Sequence, residues 1–371
     1  MNPEFRISSN EGSVSSNEGS VSSNVGSFRI YHDDTLDART FYGGKNLGTH
    51  KDTFHCDEVL AIALLHLTKE YQNANVIRTR DDQVLKQCTI VVDVGGEYDP
   101  NEDRYDHHQR GFDETMDGYK TKLSSAGLIY KHFGIEILEN IIKQISQESS
   151  TLENAFIDKI FKKVYEGFIE HIDANDNGIA VSKGPHSYRI TTSLPDRVRD
   201  LNPPWYEESD SQDMERRFYK AYQLVSSEFK AYVIKLVKSM EKARPIVEKA
   251  FANRFNNYWT GEIIILDRFC PFYDELERLE AIHNCMVKYV LFGDSKKWKI
   301  RAVPISDGSF ENRLTLPESW RGLRKDDLEK ICGIENSEFV HANGFIGGAN
   351  TKEAALQMAI SALREADKSK G

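Results

Sequence analysis

Two short runs constrain the fold more than anything else in the chain. Residues 75–79 (NVIRT) and 89–94 (TIVVDV) are rich in β-branched side chains and lack polar alternation. A strand with one wet face alternates apolar with polar, so runs like these need cover on both faces. That is the position of interior strands in a parallel sheet. The cover is present. Residues 58–71 are apolar on nearly every side through Val59, Leu60, Ile62, Leu64, Leu65 and Leu67, as a helix buried in an α/β layer would be. Residues 123–133 read as a second helix, stopped by Gly134. Residues 156–172 read as a third, with Ile157, Ile160, Phe161, Val164, Phe168 and Ile172 on one face.

Further on, Pro195, Pro203, Pro204 and a cluster of acids predict no regular element between 194 and 213. Phe218, Tyr222, Val225, Phe229, Val233, Leu236 and Met240 then mark a long helix, which Pro245 is expected to interrupt. Strand patterns follow at 262–266, 287–292 and 298–303, and a last helix at 352–366. In the third strand Lys297, Lys299 and Arg301 alternate with Trp298 and Ile300, which a solvated sheet face explains. The fold class is α/β: a parallel-sheet N-terminal domain plus a smaller α/β C-terminal domain. The expected division is a low-complexity tail at 1–43, a first domain at 44–195, a linker and long helix at 196–261, and a second domain at 262–371.

Within the tail, residues 8–28 repeat SSNEGSV, SSNEGSV, SSNVGSF. The period of seven invites a coiled coil, but units built of Gly, Ser and Asn bury too little to offset their ordering entropy, so disorder is expected. No run of 18 apolar residues exists and no membrane partner is expected. There is no basic-then-apolar start, and the five cysteines form no C-x-x-C pair. These features predict an intracellular protein of the nucleus, cytoplasm or mitochondrion. A net charge of −10 argues against a broad surface gripping duplex nucleic acid.

The chemistry lies in a series of His and Asp motifs, each beside an element end: Gly-Thr-His50, then Phe-His55-Cys-Asp57-Glu58, then Val-Val-Asp93-Val-Gly-Gly, then Tyr-Asp106-His107-His108, then His171-Ile-Asp173-Ala-Asn-Asp176-Asn-Gly. Ligands gather at the carboxyl ends of strands in an open parallel sheet, and Asp93 stands at such an end. Taken singly, each motif has a plainer role: Asp93 as a turn former, Asp57 as a helix cap, 173–178 as a loop. A calcium loop is a poor reading of 173–178, because Gly184 occupies the twelfth position where a bidentate Glu belongs. Together they form a mixed N/O donor set. Such a set suits Mn²⁺ first and Mg²⁺ second, whereas a closed structural zinc site would favour cysteine.

The stretches GTHKDTFHCDE, VVDVGGEYDP, RYDHHQRGF, TKLSSAGLIYKHFG and HIDANDNG resemble the signature of the melanocyte-proliferating-gene-one exonuclease family, a branch of the DHH phosphoesterase superfamily, from about Leu47 onward. The resemblance implies a metal-dependent 3′–5′ exonuclease acting on RNA. It implies two divalent ions held by His50, His55, Asp57, Asp93, His107 and Asp173, with Asp93 bridging. It further implies that Asp106 orients His107, and that His108 touches the scissile phosphate or donates a proton; Asp93, His107 and His108 would carry catalysis. His55 stands where the superfamily has the first Asp of Asp-x-Asp.

In the second domain, His341-Ala-Asn-Gly344-Phe345-Ile-Gly347-Gly348 precedes the last helix, where exposed N–H groups could hold a phosphate, and Asn350 with Glu353 could cap that helix. The resemblance makes it a substrate-binding lid, with His341 and Phe345 against a terminal nucleotide. Arg78, Arg80, Arg104 and Arg110 are the expected phosphate contacts, ahead of the Lys297–Arg301 face. The substrate is then single-stranded RNA or a short oligonucleotide. Hydrolysis of a small phosphorylated metabolite or pyrophosphate, and a non-catalytic metal-containing RNA-binding or scaffold role, are the alternatives.

Overall fold

The structure, a computed structural model, describes residues 28–33, 36, 41, 44–145, 154–184, 187–293 and 297–368. Most of the repeat tail therefore lies outside the described residues.

The first lobe is built on six strands: β1 (Ile30–His32), β2 (Asn46–Thr49), β3 (Asn75–Arg78), β4 (Ile90–Val92), β5 (Tyr98–Asp99) and β6 (Arg104–Tyr105). They lie in the order β1-β3-β2-β4-β6-β5, all parallel except the edge pair β5–β6. The absence of polar alternation has its cause here. Val76, Ile90 and Val92 face a core shared with α1 (Cys56–Leu65) and α3 (Ser125–Ile145). Ile77 and Val91 face the other way, onto Leu85 of α2 (Asp82–Leu85) and Cys88. All ten residues of α1 are buried.

Several sequence expectations shift. The tail boundary at 43 falls too late, because Ile30–His32 pairs in register with Val76–Arg78 as β1. Gly134 does not end α3, which runs on to Ile145. Gly134 is buried at the crossing with the next helix, where a side chain would collide with the Phe161 ring. That next stretch is one helical rod: α4 (Asn154–Val164), a π-turn over Tyr165–Ile169, and α5 (Glu170–Asp176). Pro195 does not break the chain but opens α6 (Leu194–Arg199), whose first turn is closed by a Ser193–Asp196 capping box.

Pro245 does not interrupt the long helix either. α7 (Ser211–Ala252) is continuous for 42 residues, roughly 60 Å. Its first half seats Phe218, Val225, Phe229 and Val233 in the first lobe's core. Its second half seats Ala243, Val247 and Phe251 in a second core with Leu276 and Val290. Burial on both sides of the proline outweighs the lost hydrogen bond, a penalty of about 3 kcal/mol. The stretch 196–261 is therefore a structural member of both lobes and not a linker.

The second lobe follows α8 (Arg254–Asn257) and contains β7 (Ile263–Ile265), α9 (Tyr273–His283), β8 (Tyr289–Gly293), β9 (Trp298–Ala302), α10 (Lys325–Cys332), β10 (Ser337–Val340), β11 (Ile346–Ala349) and α11 (Lys352–Lys368). Its sheet runs β10-β11-β9-β8-β7, antiparallel but for β7–β8. The α/β class expected from the strand patterns holds in both lobes. No helix among the described residues is long and apolar enough to cross a membrane.

Candidate metal centre

Strands β2, β4 and β6 run parallel and end side by side, so whatever follows each strand is delivered to one rim of the sheet. His50 follows β2, Asp93 follows β4 and His107 follows β6. Asp93 takes a left-handed φ of +61°, which turns the chain sharply at the strand end and leaves the carboxylate on the rim. The loop after His50 leads into α1, whose N-cap is His55. Glu58 reaches back so that both its oxygens accept from the His55 backbone N–H, at 2.8 and 2.9 Å. Asp57 lies in the same first turn.

The resulting cluster is tight. His50 Nε2 is 3.3 Å from Glu58 Oε1 and 3.3 Å from Asp93 Oδ2. His107 Nε2 is 3.3 Å from Asp93 Oδ1 and 3.0 Å from Asp176 Oδ2. Three sets of donor atoms each fall within 4.8 Å of one another: His50, His55, Glu58 and Asp93; Asp93, His107 and His108; and His55, Asp57 and Asp176. A cavity of about 570 Å³ opens over them, walled by His55, Asp57, His107, His108, Asp176 and Arg199 among others.

The electrostatics follow from crowding carboxylates where water is scarce. Burial, with Asp93, Asp176 and Glu58 adding their charges, raises the Asp57 carboxyl well above its usual range. Burial opposes charge on His50, but hydrogen bonding and attraction from Asp93 and Glu58 win and lift it to about 10. His107 is lifted to about 9 against its burial by Asp176 and Asp93. Asp93 is held down despite its burial, because His107 and His50 both favour its anion. The pocket thus carries an excess of negative charge that draws protons onto its bases.

A cation is the group this donor set fits. Both oxygens of Asp57 and Nδ1 of His107 are buried without a hydrogen-bond partner among the described residues, and Nε2 of His50 and of His107 each faces carboxylate oxygens at 3.0–3.3 Å. Orphaned buried polar atoms are rare and costly unless something binds them. His50 Nδ1 meets the Lys51 carbonyl at 3.0 Å, which fixes the tautomer so that Nε2 faces the carboxylates. Cys56 beside them is buried, and that burial raises its thiol well above the usual range, so it remains a packing residue.

Of the six expected ligands, His50, His55, Asp57, Asp93 and His107 converge. Asp173 does not. It is fully buried one turn before the end of α5, and its Oδ1 accepts from the Ser124 backbone (3.0 Å) and hydroxyl (2.8 Å). A Cβ on Gly127 of α3 would lie 2.4 Å from that carboxylate, so the glycine allows the close approach. Asp176, three residues on, takes the place at the cavity. Glu58 is the other residue that the motif reading left unassigned. Asp106 is also corrected: it holds His108, not His107. Its Oδ1 lies 2.7 Å from His108 Nδ1 and accepts from the His108 N–H at 3.0 Å, and its Oδ2 accepts from Gly96 N–H at 2.6 Å. This contact raises the basicity of His108, whose ring is otherwise exposed to the cavity.

The expected phosphate contacts fare differently. Arg78 is fully buried, its guanidinium 4.6 Å over the Phe218 ring and 5.7 Å over Phe54, donating to the Asp52 carbonyl at 2.7 Å. Arg80 faces Asp52 at 3.7 Å. Neither they nor Arg110 wall the cavity; Lys122 and Arg199 do. Arg78 instead clamps the loop that carries His50 and His55, where Asp52 has a left-handed φ of +74°. Arg78→Met is expected to keep the fold, since a buried guanidinium with no paired carboxylate among the described residues adds little stability. It is expected to weaken Mn²⁺ binding about tenfold in titration calorimetry, as loss of a residue supporting ligands does. A large fall in melting temperature with unaltered Mn²⁺ affinity would reduce Arg78 to a core strut.

The glycine-rich element of the second lobe does not border this cavity, whose walls come from residues 55–199. Gly347 and Gly348 do not open a helix. They lie inside β11, paired with Ile300 and Lys299, and the Phe339 ring of the neighbouring strand fills the space over Gly348. α11 is instead capped by Thr351, whose hydroxyl accepts from Ala354 N–H at 3.1 Å, and not by Asn350 with Glu353. Gly344 turns with φ +68° between His341 and Phe345, whose rings are 4.8 Å apart.

A family model of MYG1 exonucleases, described as an uncharacterised protein family (UPF0160), matches residues 46–363, from β2 into α11. Over 330 residues the chain is 44 % identical to the MYG1 exonuclease of Rattus norvegicus, covering 86 % of this chain and 84 % of that protein. It is 45 % identical to the MYG1 exonuclease of Homo sapiens, covering 86 % of each. A MYG1 protein of Caenorhabditis elegans is 40 % identical over 85 % of this chain and 94 % of its own length. A solved RecJ structure with Mn²⁺ from Thermus thermophilus aligns at 12 % identity and a TM-score of 0.19, over 88 % of this chain and 53 % of that one, an overlap too slight to argue from. The family model spans both lobes and every side chain of the cluster, and the chain belongs to the MYG1 exonuclease family.

Proposed function

We propose that the protein is a metal-dependent phosphodiesterase of the DHH type that removes nucleotides from the 3′ end of single-stranded or short RNA. The observation that carries this reading is the convergence of His50, His55, Asp57, Glu58, Asp93, His107 and Asp176, with orphaned donor atoms, beneath one open cavity. The exonuclease relatives support a nucleic-acid substrate.

The chemistry that two divalent ions, Mn²⁺ ahead of Mg²⁺, would supply when bound there is activation of a water and neutralisation of charge on the phosphoryl oxygens. The chain's own groups do the rest. Asp93 faces both histidine sets and so is the side chain able to serve both positions. His50, His55 and Glu58 would serve one side and His107 and Asp176 the other, with Asp57 between them beside His55 and Asp176. Lys122 and Arg199, on the cavity wall, attract the phosphate. His108 gives Nδ1 to Asp106 and so presents Nε2 toward the cavity, holding a proton for the leaving oxygen. No serine or cysteine nucleophile is needed.

The test is product analysis on a decaribonucleotide labelled at either end, with its DNA counterpart alongside, in Mn²⁺. The expected result is a ladder shortening from the 3′ end, with release of mononucleotides and preference for RNA. Shortening from the 5′ end would overturn the polarity. Turnover of pyrophosphate or small phosphate esters with an intact oligonucleotide would overturn the nuclease reading.

A further inference from the structure

A second cavity, of about 580 Å³, lies where α4 of the first lobe meets the second lobe. Its walls are aromatic, and two of the phenyls are presented to solvent: Phe310 is fully exposed and Phe269 is 54 % exposed. Phe269 is held in place from behind by the Phe292 ring, with centroids 4.8 Å apart. Lys163, on the same wall, is neutralised by Asp274 at 3.2 Å and Asp307 at 2.5 Å. Arg301 lies 5.9 Å over the Phe272 ring and has no carboxylate within 4 Å among the described residues, so it is the cation this cavity leaves uncommitted. Asn312, whose Nδ2 donates to the Phe310 carbonyl at 3.2 Å, and Asn343 also line it. Flat apolar faces, amide edges and one available cation match a nucleobase with its phosphate. They match neither a bare phosphate, which needs no rings, nor an aliphatic ligand, which needs no cation.

The position relative to the metal centre is fixed by the helical rod. Lys163 lines this cavity and Asp176 the other, and α4, the π-turn and α5 join them without a break. Thirteen residues of helix (163 to 176) span roughly 20 Å. That is several nucleotides of single strand, so one substrate can touch both places only if it is longer than two or three units.

We propose that the cavity walled by Phe269, Phe310 and Arg301 is a distal stacking site for a nucleobase of a single-stranded substrate whose end lies at the metal centre. The inference rests on the proposed nuclease reading and extends it: the cavity sets a minimum length for tight binding. The site's walls lie outside the glycine-rich element, apart from Asn343 and Phe345.

The test uses the full chain and a series of oligoribonucleotides of two to ten units. Hydrolysis in Mn²⁺ is followed for the wild type, Phe310→Ala and Arg301→Gln. Fluorescence anisotropy measures binding of the decamer to the Asp93→Asn protein with and without each second substitution. The expected result is that each substitution weakens decamer binding about tenfold, in line with loss of one stacked base, raises the decamer KM by a similar factor, and leaves dinucleotide turnover unchanged. Phe310 is fully exposed, so its removal does not threaten the fold. Equal decamer affinity in all the proteins overturns the proposal, as does an equal loss on dinucleotide and decamer. If the wild type hydrolyses no oligonucleotide but decamer binding still falls in the variants, the nuclease reading fails and the stacking site stands.

Discussion

Asp93→Asn is expected to lower the hydrolytic rate by ~10³-fold or more while the protein stays folded. Among the described residues, Asp93 is the carboxylate in reach of three histidines, with His50 and His107 at 3.3 Å and His108 at 3.5 Å. On the proposed reading, removing its charge would take a ligand from both halves of the cluster at once, and metal-assisted chemistry contributes several kcal/mol, at 1.36 kcal/mol per factor of ten. Asparagine keeps the shape and the Oδ1 atom that accepts from the Ser125 hydroxyl at 3.2 Å, so the strand end has no reason to collapse. Steady-state rates and Mn²⁺ titration on the same preparation check this. A variant with activity within tenfold of the wild type would remove Asp93 from the centre of the mechanism.

The second large effect is a contrast between two aspartates one helical turn apart. Asp176→Asn is expected to weaken Mn²⁺ binding by tenfold or more with unfolding free energy nearly unchanged, because Asp176 is partly exposed at the cavity, where it faces His107 at 3.0 Å and shares a donor set with His55 and Asp57. Asp173→Ala should do the reverse. It strands the buried Ser124 N–H and hydroxyl, so stability falls by about 2–4 kcal/mol with Mn²⁺ affinity in the folded protein preserved. Urea unfolding beside calorimetric titration separates the two. If Asp173→Ala folds normally and fails to bind Mn²⁺, the assignment of the two residues is reversed.

That pair also explains what the sequence could and could not disclose. The motif HIDANDNG was legible as a site, but the helix before it was expected to stop at Ile172, leaving Asp173 in a loop. The helix in fact runs on to Asp176. Ile169, Ile172 and Asp173 then share one buried face, and Asp173 is turned against α3 while Asp176 clears the edge. Extending the 3.6-residue period four positions further would have exchanged the two. Glu58 was hidden for another reason. A Glu three residues after an N-cap is ordinary capping chemistry, and it does that here while also facing His50. The parallel sheet was legible because residues 75–79 and 89–94 had no wet face to show. The burial of Arg78 was not, because nothing local indicates that Phe54 and Phe218, 164 positions apart (54 to 218), will enclose it. Proline rules failed at Pro245 because they weigh a local defect, whereas two cores hold that helix from either side.

The shared helix has a consequence for how the chain is assembled. The first lobe's core is not closed by residues 44–195: it needs Phe218, Val225, Phe229 and Val237, all borne on α7. During synthesis the metal-facing half must therefore wait, with α1 and α3 uncovered, until Val237 has emerged. The distal end of the same rod then offers Val247 and Phe251 as a ready wall for the half still being made. Severing the chain between its halves would leave each with an open side.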